Sequence, residues 1–319
     1  MSEEMMVATK GARGGTGARG TFLAEVYRHR EYLLLLLPAL VIFVLFRYIP
    51  MAGIVIAFKK YTIAGGLFGS PWVGFTYFER LFDSEKFYQV LWNSIRISFL
   101  KIAIGFPGPI IFALLLNEVR QVAWKKSFQT ISYLPHFVSW VVVGGIVRDV
   151  LSVHGVVNGM IGFIGAEPRL FLQEMHSFLP IVITSMIWKN IGWGSIIYLA
   201  AITSIDPDLY EAAEIDGAGR VRRMWHITLP SITHVIIILF LLRIGNILEA
   251  GFDQIFNLYN PLVYDVADII DTYVYREGIS GFQYSLTAAA SLFQNVVGLM
   301  LLLMVNVVTR RMQADYSVV

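Results

Sequence analysis

The chain has 319 residues, of which 56% are hydrophobic and only 15% are charged. A soluble domain carries about 25% charged residues, so the apolar surplus indicates a protein that is embedded in a lipid bilayer. The absence of Cys excludes disulfides, thiol catalysis and cysteine metal sites. A net charge of +2 gives no reason to expect a nucleic acid as a partner.

The chain begins with a basic, Gly-rich tail. Residues 1–30 are predicted to form this disordered cytoplasmic tail, and residues 31–319 are predicted to form the membrane domain. The run KGARGGTGARGT at 10–21 is not a phosphate-binding loop, because no Gly-Lys-Ser or Gly-Lys-Thr follows it. The apolar stretch after the tail is too long for a secretory signal and lacks a small-residue cleavage site.

Six segments are candidates for membrane-spanning helices. A helix that crosses a bilayer needs roughly 20 mostly apolar residues. The first and last candidates are the most apolar, and the third to fifth are more polar. The predicted spans are 32–56, 93–117, 128–150, 178–202, 232–256 and 283–308.

The positive charges are distributed unevenly between the two sides of these spans. Thirteen Lys and Arg residues lie in the N-terminal tail, in the loops after the second and fourth spans, and at the C-terminus. The three alternate loops hold six. Since Lys and Arg accumulate on the cytoplasmic side, both termini and the loops after the second and fourth spans are predicted to be cytoplasmic.

The loop between the fourth and fifth spans, residues 204–232, carries strong helix signals. Asp206 can cap a helix N-terminus, and Pro207 suits the first turn. These residues predict a short helix over Leu209–Ile215. The segment is therefore expected to be ordered although it lies outside the spans.

The second half of this loop predicts a turn and another short helix. Gly217 and Gly219 permit a sharp turn. The second helix is expected over about 220–228, with Pro230 ending it. One side of the resulting helix-turn-helix is apolar and calls for a partner; it is formed by Leu209, Ala212, Ala213, Met224 and Trp225.

This loop resembles the cytoplasmic coupling motif of ABC importer permeases, the binding-protein-dependent transport family. That motif reads Glu-Ala-Ala, three residues, Gly, nine residues, Ile-x-Leu-Pro. Every fixed position is matched here, by Glu211, Ala212, Ala213, Gly217, Ile227, Leu229 and Pro230.

The resemblance is closest to the carbohydrate-importing branch of that family. The Asp-Gly-Ala form at Asp216–Ala218 is typical of the branch, which usually has Phe where this chain has Trp225. The segments 47–61 and 251–275 also look like permeases for complex oligosaccharides. The likeness covers nearly all of residues 30–319.

The resemblance implies a fold, a mechanism and a set of partners. The fold would be an all-α integral membrane permease with six transmembrane helices and a helix-turn-helix coupling loop between the fourth and fifth. The loop would dock into a groove on a separate ATPase subunit, where Glu211 takes an ion pair or a cap and Gly217 permits the bend. The chain would bind no cofactor and catalyse no reaction, because ATP and Mg²⁺ would be bound by the partner ATPase dimer. A second related permease, an extracytoplasmic sugar-binding protein and the lipid of a bacterial inner membrane would complete the assembly.

Polar residues within the spans are candidates for the substrate pathway. Charges inside a bilayer cost several kcal/mol unless they are paired or hydrated. They can therefore mark either structural pairs or a pathway, and both interpretations stay open for Arg96, Lys101, Arg148, Asp149, Lys189, Arg243, Glu249 and Asp253. Basic residues outnumber acidic ones in this set, which weakly favours an anionic sugar.

Two stretches are predicted to line the pathway. In the fourth span, the rings of Trp188, Trp193 and Tyr198 suit the apolar faces of sugars, and Asn190 offers hydrogen bonds. In the fifth span, a polar stripe is expected on one helical face, although it could equally face a partner permease; it consists of Asn246, Glu249 and Asp253.

Two other functions are possible alternatives. An ion-coupled secondary transporter could use Glu249 or Asp253 as a relay, but it predicts inverted repeats that the sequence does not show. An intramembrane enzyme needs a nucleophile with a base, or a metal. Ser98-x-x-Lys101 matches a hydrolase motif only at the level of chance, and the His residues lack metal-ligand spacing. We therefore predict no catalytic residue and no metal site.

Overall fold

The computed structural model describes residues 29–245 and 247–316. Within these ranges the regular structure is helical, apart from an isolated antiparallel bridge between Lys59 and Trp72. The predicted tail, except for its last two residues, lies outside the described residues. The chain divides into two compact units between Val55 and Ile56.

The principal helices are numbered in chain order. They are α1 (Arg30–Phe58), α2 (Glu85–Asn117), α3 (Val122–Phe137), α4 (Trp140–Val150), α5 (Met175–Thr203), α6 (Pro207–Ile215), α7 (Arg220–Ser231), α8 (Thr233–Gly245), α9 (Phe252–Leu258) and α10 (Tyr284–Tyr316).

Three of the described helices are long and apolar enough to cross a bilayer: α1, α2, and α10 over Tyr284–Val307. The number rises to five if each of two bent helix pairs is one span, α3 with α4 and α7 with α8. Helix α5 has 29 residues, enough to cross a bilayer. It is not among these candidates, because polar residues such as Lys189 and Asn190 lower the hydropathy of its middle. The all-α class is confirmed, and the count of six spans stays a prediction.

Two predicted spans are not continuous helices. Residues 128–150 do not form one continuous helix, because α3 and α4 meet at an angle of 103°. The expected span 232–256 is interrupted between Gly245 and Phe252. Consequently Glu249, which falls within the interruption, does not share a helical face with Asp253, and Asn246, the third residue of the predicted stripe, lies outside the described residues.

Proline shapes two of the helices in the same way. In α1 a π-helical turn, Val44–Tyr48, ends two residues before Pro50. In α7 the π-helical turn Met224–Thr228 ends two residues before Pro230. Proline lacks the N–H and its ring crowds the carbonyl four residues earlier, so a wider turn relieves the clash and lets the helix continue.

Helix α5 lies at the centre of the second unit, against α2 and α3. Its first third contributes Phe178 and Val182 to one buried apolar cluster, and its last third contributes Leu199 and Ile202 to another. The middle of α5 lies between these two clusters. It is this middle segment that borders the cavity described below.

Close approach of α5 and α3 depends on Gly192. A Cβ atom at this position would lie 2.2 Å from the carbonyl oxygen of Ser132. Since Ser132 is held by the helical backbone of α3, the two helices would have to separate. Glycine here therefore sets the distance between α5 and the broken pair α3–α4.

Replacing Gly192 by Ala should therefore destabilise the chain by about 1–3 kcal/mol, the usual cost of overpacking. The matched control is Gly145→Ala on α4, where an added Cβ meets nothing within 4 Å and alanine improves helix propensity. Thermal unfolding of both purified variants in detergent measures the difference. Equal melting temperatures would show that α3 and α5 are not in tight contact at Gly192.

Candidate functional site

A cavity of about 610 Å³ lies in the second unit, bordered by both interrupted spans. Helices α2, α5 and α8 form much of its wall. His136 and Trp140 line it on either side of the α3–α4 break, and Glu249, Ala250 and Gly251 line it within the α8–α9 interruption. Broken helices are common at transporter sites, because they place backbone groups and loops beside the substrate.

The α3–α4 break is held by a lysine from α5. Lys189 is buried, and its ammonium donates to the carbonyls of Pro135 (3.1 Å), His136 (2.7 Å) and Val138 (2.5 Å). The Lys189 ammonium thus lies at the C-terminal end of α3, where the helix dipole is negative. On the other side, Ser139 caps α4 by accepting from the amide of Val142 (3.4 Å). Lys189 therefore has a structural role, in which it pairs with backbone carbonyls. This is one of the two interpretations that the sequence left open.

The α8–α9 interruption is held by a second lysine. Lys101 of α2 donates to the carbonyl oxygen of Ala250 at 2.6 Å. The next residue, Gly251, has a φ of +91°, and a Cβ atom there would lie 2.9 Å from the Lys101 ammonium. Glycine is required because L side chains rarely adopt this backbone conformation. Lys101 also lines the cavity, so it combines a structural contact with access to the site.

His136 and Trp193 form a stacked pair of rings on the cavity wall. Their rings stack with centroids 4.7 Å apart and an interplanar angle of 2°. His136 Nδ1 lies 3.1 Å from Asn190 Oδ1, while Asn190 Nδ2 donates to the Met186 carbonyl. Since Oδ1 can only accept, His136 Nδ1 carries a proton in this arrangement. The flat pair suits the apolar face of a ring-shaped ligand.

The charges on the cavity wall are mostly positive. Lys101 and Arg243 contribute cations, and Glu249 contributes the one carboxylate among the described lining residues. Polar side chains from α2 and α9 add Ser98 and Gln254. The cavity therefore combines apolar rings, hydrogen-bonding groups and an excess of positive charge, a composition suited to a polar ligand that carries negative charge.

The structure brings several of the predicted pathway residues together. Asn190, Trp193, Tyr198 and Glu249 line the cavity. Trp188 and Asp253 do not line it, so their place in a pathway stays a prediction, and Asn246 lies outside the described residues.

The pathway candidates did not include His136, Ser98 and Gln254, whose polar side chains belong to the cavity lining. For His136 a signal exists, because Pro135 within a predicted span marks a place where the helix can break. Ser98 and Gln254 carry no local signal, since a serine or glutamine within a span is commonly buried against a neighbouring helix.

The segment after α9 is fixed by a buried ion pair. The Asp268 carboxylate is fully buried and accepts two hydrogen bonds from Arg276, at 3.0 and 2.6 Å. Hydrogen bonding to this carboxylate raises the pKa of Arg276 above its usual range. Asn93 of α2 donates to the Asp268 carbonyl at 3.1 Å. These contacts tie α2 to the segment that follows the second interruption.

The loop between α5 and α8 is an ordered helix-turn-helix. The Asp206 carboxylate accepts from the amide of Asp208 at 3.0 Å and caps α6. After α6, Gly217 has a φ of +73°, and Ala218 donates to the Ala213 carbonyl at 2.8 Å. This pair of features is a Schellman motif, which satisfies free carbonyls at a helix end.

Two side-chain contacts hold α7 against α6. Arg223 forms an ion pair with Glu214 at 2.7 Å, and the Tyr210 hydroxyl lies 2.9 Å from Thr228 Oγ1. Helix α7 continues through Pro230 to Ser231, so the expectation that Pro230 ends it is wrong by one residue. The wider π turn described above explains the difference.

Several apolar side chains of the helix-turn-helix are exposed. Ile215 is 87% exposed and Trp225 is 61% exposed, and Leu209 and Val221 are exposed as well. Glu211 is exposed and has no ion pair within the described part of the chain. The predicted coupling residues lie on α6, in the turn or on α7; they are Glu211, Ala212, Ala213, Asp216, Gly217, Ala218, Ile227, Leu229 and Pro230.

Comparison with known proteins identifies this architecture. Residues 105–314 match the family model described as "Binding-protein-dependent transport system inner membrane component". The chain belongs to this family of membrane permeases. The resemblance drawn from the loop is thereby confirmed, and the permease is an inner-membrane transport component.

Relatives of the permease are found among curated proteins of Bacillus subtilis (strain 168). It is 46% identical over 289 residues to the polygalacturonan/rhamnogalacturonan transport system permease protein YteP, with 90% of each chain covered. It is 43% identical over 302 residues to the protein LplB, with 94% of this chain and 95% of the relative covered.

Solved structures resemble the permease over most of its length. One is a bacterial ABC transporter involved in the import of the acidic polysaccharide alginate, with a TM-score of 0.84, 43% identity and coverage of 91% of this chain and 99% of that one. The other is a bacterial alginate ABC transporter in complex with an alginate pentasaccharide-bound periplasmic protein, with a TM-score of 0.83 and 43% identity over 91% of this chain and 97% of that one.

Proposed function

We propose that this chain passes acidic oligosaccharides through the membrane as one permease of an ATP-driven importer. It is a permease of a sugar or oligosaccharide ABC importer, as its relatives indicate. The observation that supports an acidic substrate is the cavity itself, where Lys101 and Arg243 lie beside the stacked rings of His136 and Trp193. Cations attract uronate carboxylates, and the rings suit the apolar faces of sugars.

The helix-turn-helix α6–α7 is proposed to couple transport to ATP hydrolysis on partner subunits. Its exposed apolar side chains and its exposed, unpaired Glu211 are the features expected of a docking surface. Closure of an ATPase dimer, which binds the ATP and Mg²⁺, would move α6 and thereby α5 and α8. The ion-coupled alternative is less well supported, because the family depends on binding proteins.

The remaining partners and the orientation are part of the same proposal. A second related permease and an extracytoplasmic sugar-binding protein complete the importer, with six spans and both termini in the cytoplasm. The complex of an alginate transporter with a sugar-loaded periplasmic protein supports a delivering protein for this permease as well. Residues 1–28, which carry basic charge, would lie on the cytoplasmic side with α6 and α7.

Uptake into proteoliposomes that contain the complete importer tests the substrate class. We expect faster uptake of an oligogalacturonate or an alginate oligosaccharide than of the neutral sugar maltopentaose. Arg243→Gln should lower uptake of the acidic sugar about fivefold, because it removes one hydrogen-bonding cation. High salt screens charges, so it should reduce the difference in uptake between this variant and wild type. Uptake of the neutral sugar should change less.

The control for this variant is Arg96→Gln. Arg96 lies on α2, is exposed and does not line the cavity, so its loss should leave the preference for acidic sugars unchanged. Equal losses for acidic and neutral sugars in Arg243→Gln would contradict an electrostatic role. Uptake of maltopentaose alone would overturn the acidic substrate class.

A further inference from the structure

Two buried polar atoms, on residues that line the cavity, have no hydrogen-bond partner among the described residues. They are the hydroxyl oxygen of Ser98 and the side-chain carbonyl oxygen of Gln254. Ser98 is 4% exposed and Gln254 is 2% exposed. Native proteins satisfy nearly all buried polar groups, so an exception at a cavity wall points to a ligand.

The position of the unpaired Gln254 oxygen is fixed by its neighbours on α5. Gln254 Nε2 donates to the Val182 carbonyl at 2.6 Å and to Ser185 Oγ at 2.9 Å. The Ser185 hydroxyl donates in turn to the Ile181 carbonyl at 2.7 Å, so it accepts from Gln254. Exchanging the amide nitrogen and oxygen would set Oε1 against a carbonyl oxygen, which excludes that orientation. Oε1 is therefore a free acceptor.

Ser98 differs from the serine one turn earlier on α2. Ser94 donates to the Val90 carbonyl at 2.8 Å and accepts from the amide of Ile270 at 2.9 Å. A serine inside a helix usually donates to the carbonyl four residues back, but the Ser98 hydroxyl has no such bond. The Ser98 hydroxyl is thus free to donate to a ligand and to accept from one.

Lys101 completes the group of donors and acceptors. It follows Ser98 by one turn of α2 and lines the same cavity. Its amino group donates one hydrogen bond to the Ala250 carbonyl, which leaves further donor capacity for other acceptors. A basic side chain on the same cavity wall as Gln254 disfavours a metal cation, and the described residues contain no His, Cys, Asp or Glu cluster that could hold one.

We propose that Ser98, Gln254 and Lys101 form a subsite that binds a hydroxyl group of the transported sugar. A hydroxyl can donate to Gln254 Oε1 while it accepts from Ser98 or Lys101, whereas a carboxylate would be repelled by Gln254 Oε1. The subsite rests on the proposed function, since it requires sugar to occupy the cavity. It recognises the neutral part of an acidic sugar, and the Arg243 side chain recognises charge.

Ser98→Ala tests the subsite with little structural cost, because the hydroxyl makes no bond within the described chain. We expect uptake of an alginate oligosaccharide or an oligogalacturonate by the complete importer to fall about threefold to fivefold. The melting temperature of the permease should be unchanged. The matched control is Ser94→Ala, which loses two buried hydrogen bonds and should lower the melting temperature but not uptake per folded molecule.

Each outcome bears on the proposal. Uptake by Ser98→Ala equal to wild type would show that the subsite holds water only, and this result would overturn the proposed subsite. The proposed function of the permease would still stand. Equal losses in Ser98→Ala and Ser94→Ala would indicate a packing effect of α2 and would also overturn it. If wild type takes up none of the three probe sugars, the proposed function fails and the subsite fails with it.

Discussion

Gly217→Val should lower sugar uptake about twentyfold or more while the chain still inserts into the membrane. At a φ of +73°, Gly217 closes α6 through the Schellman motif. The left-handed conformation costs an L residue roughly 1–2 kcal/mol, and more if it is β-branched. Each 1.4 kcal/mol changes a population about tenfold. The turn that sets α6 against α7 would therefore be lost, and with it the proposed docking surface for the ATPase.

The matched control is the same substitution two residues later. Gly219 has a φ of −66° and a ψ of 166°, a conformation that valine adopts readily, and an added Cβ meets nothing within 4 Å. Gly219→Val should keep most of the uptake. The measurements are uptake, ATP hydrolysis and the amount of ATPase that co-purifies with a tagged permease. Normal coupling in Gly217→Val, or recovery of wild-type permease without any ATPase, would contradict the coupling role of α6.

The helix-turn-helix is predictable from sequence because each of its boundaries depends on adjacent residues. Asp206 and Pro207 begin α6, and Gly217 ends it, without help from distant parts of the chain. The family motif occupies the same residues, so pattern and physical chemistry agree. The prediction that Pro230 ends α7 is wrong because a π turn before this proline lets the helix continue. The π turn depends on backbone relaxation, which residue types alone do not indicate.

The cavity is less predictable because its geometry depends on contacts between distant residues. Lys189 bonds carbonyls more than 50 residues away, and Lys101 bonds one 149 residues away. Sequence indicates only that these lysines need partners in a span, and it does not indicate that the partners are broken helix ends. For the same reason, the sequence does not indicate that Gln254 Oε1 lacks a hydrogen-bond partner, because this depends on the contact of the Gln254 amide with α5.

Lys189→Met is expected to have the largest effect on stability, a loss of roughly 3–5 kcal/mol. Methionine keeps much of the length of the side chain but donates no hydrogen bond. Three carbonyls at the α3–α4 break would lose their donor, and a buried acceptor without a partner costs about 1–3 kcal/mol. Water in the cavity can offset part of the loss. Because the His136 carbonyl is one of the three, the stacked rings of His136 and Trp193 should also shift, and sugar uptake should fall with the melting temperature.

Lys126→Met is the matched control for this variant, since it makes the same substitution on α3. Lys126 is exposed, and its ammonium has no hydrogen bond within the described chain, so stability should change by less than about 0.5 kcal/mol. Lys189→Arg adds a second comparison, because it retains the charge and several donors and should recover part of the lost stability. If Lys189→Met melts and transports like Lys126→Met, cavity water must satisfy the three carbonyls. The α3–α4 break would then depend on the Ser139 cap and on the close contact at Gly192.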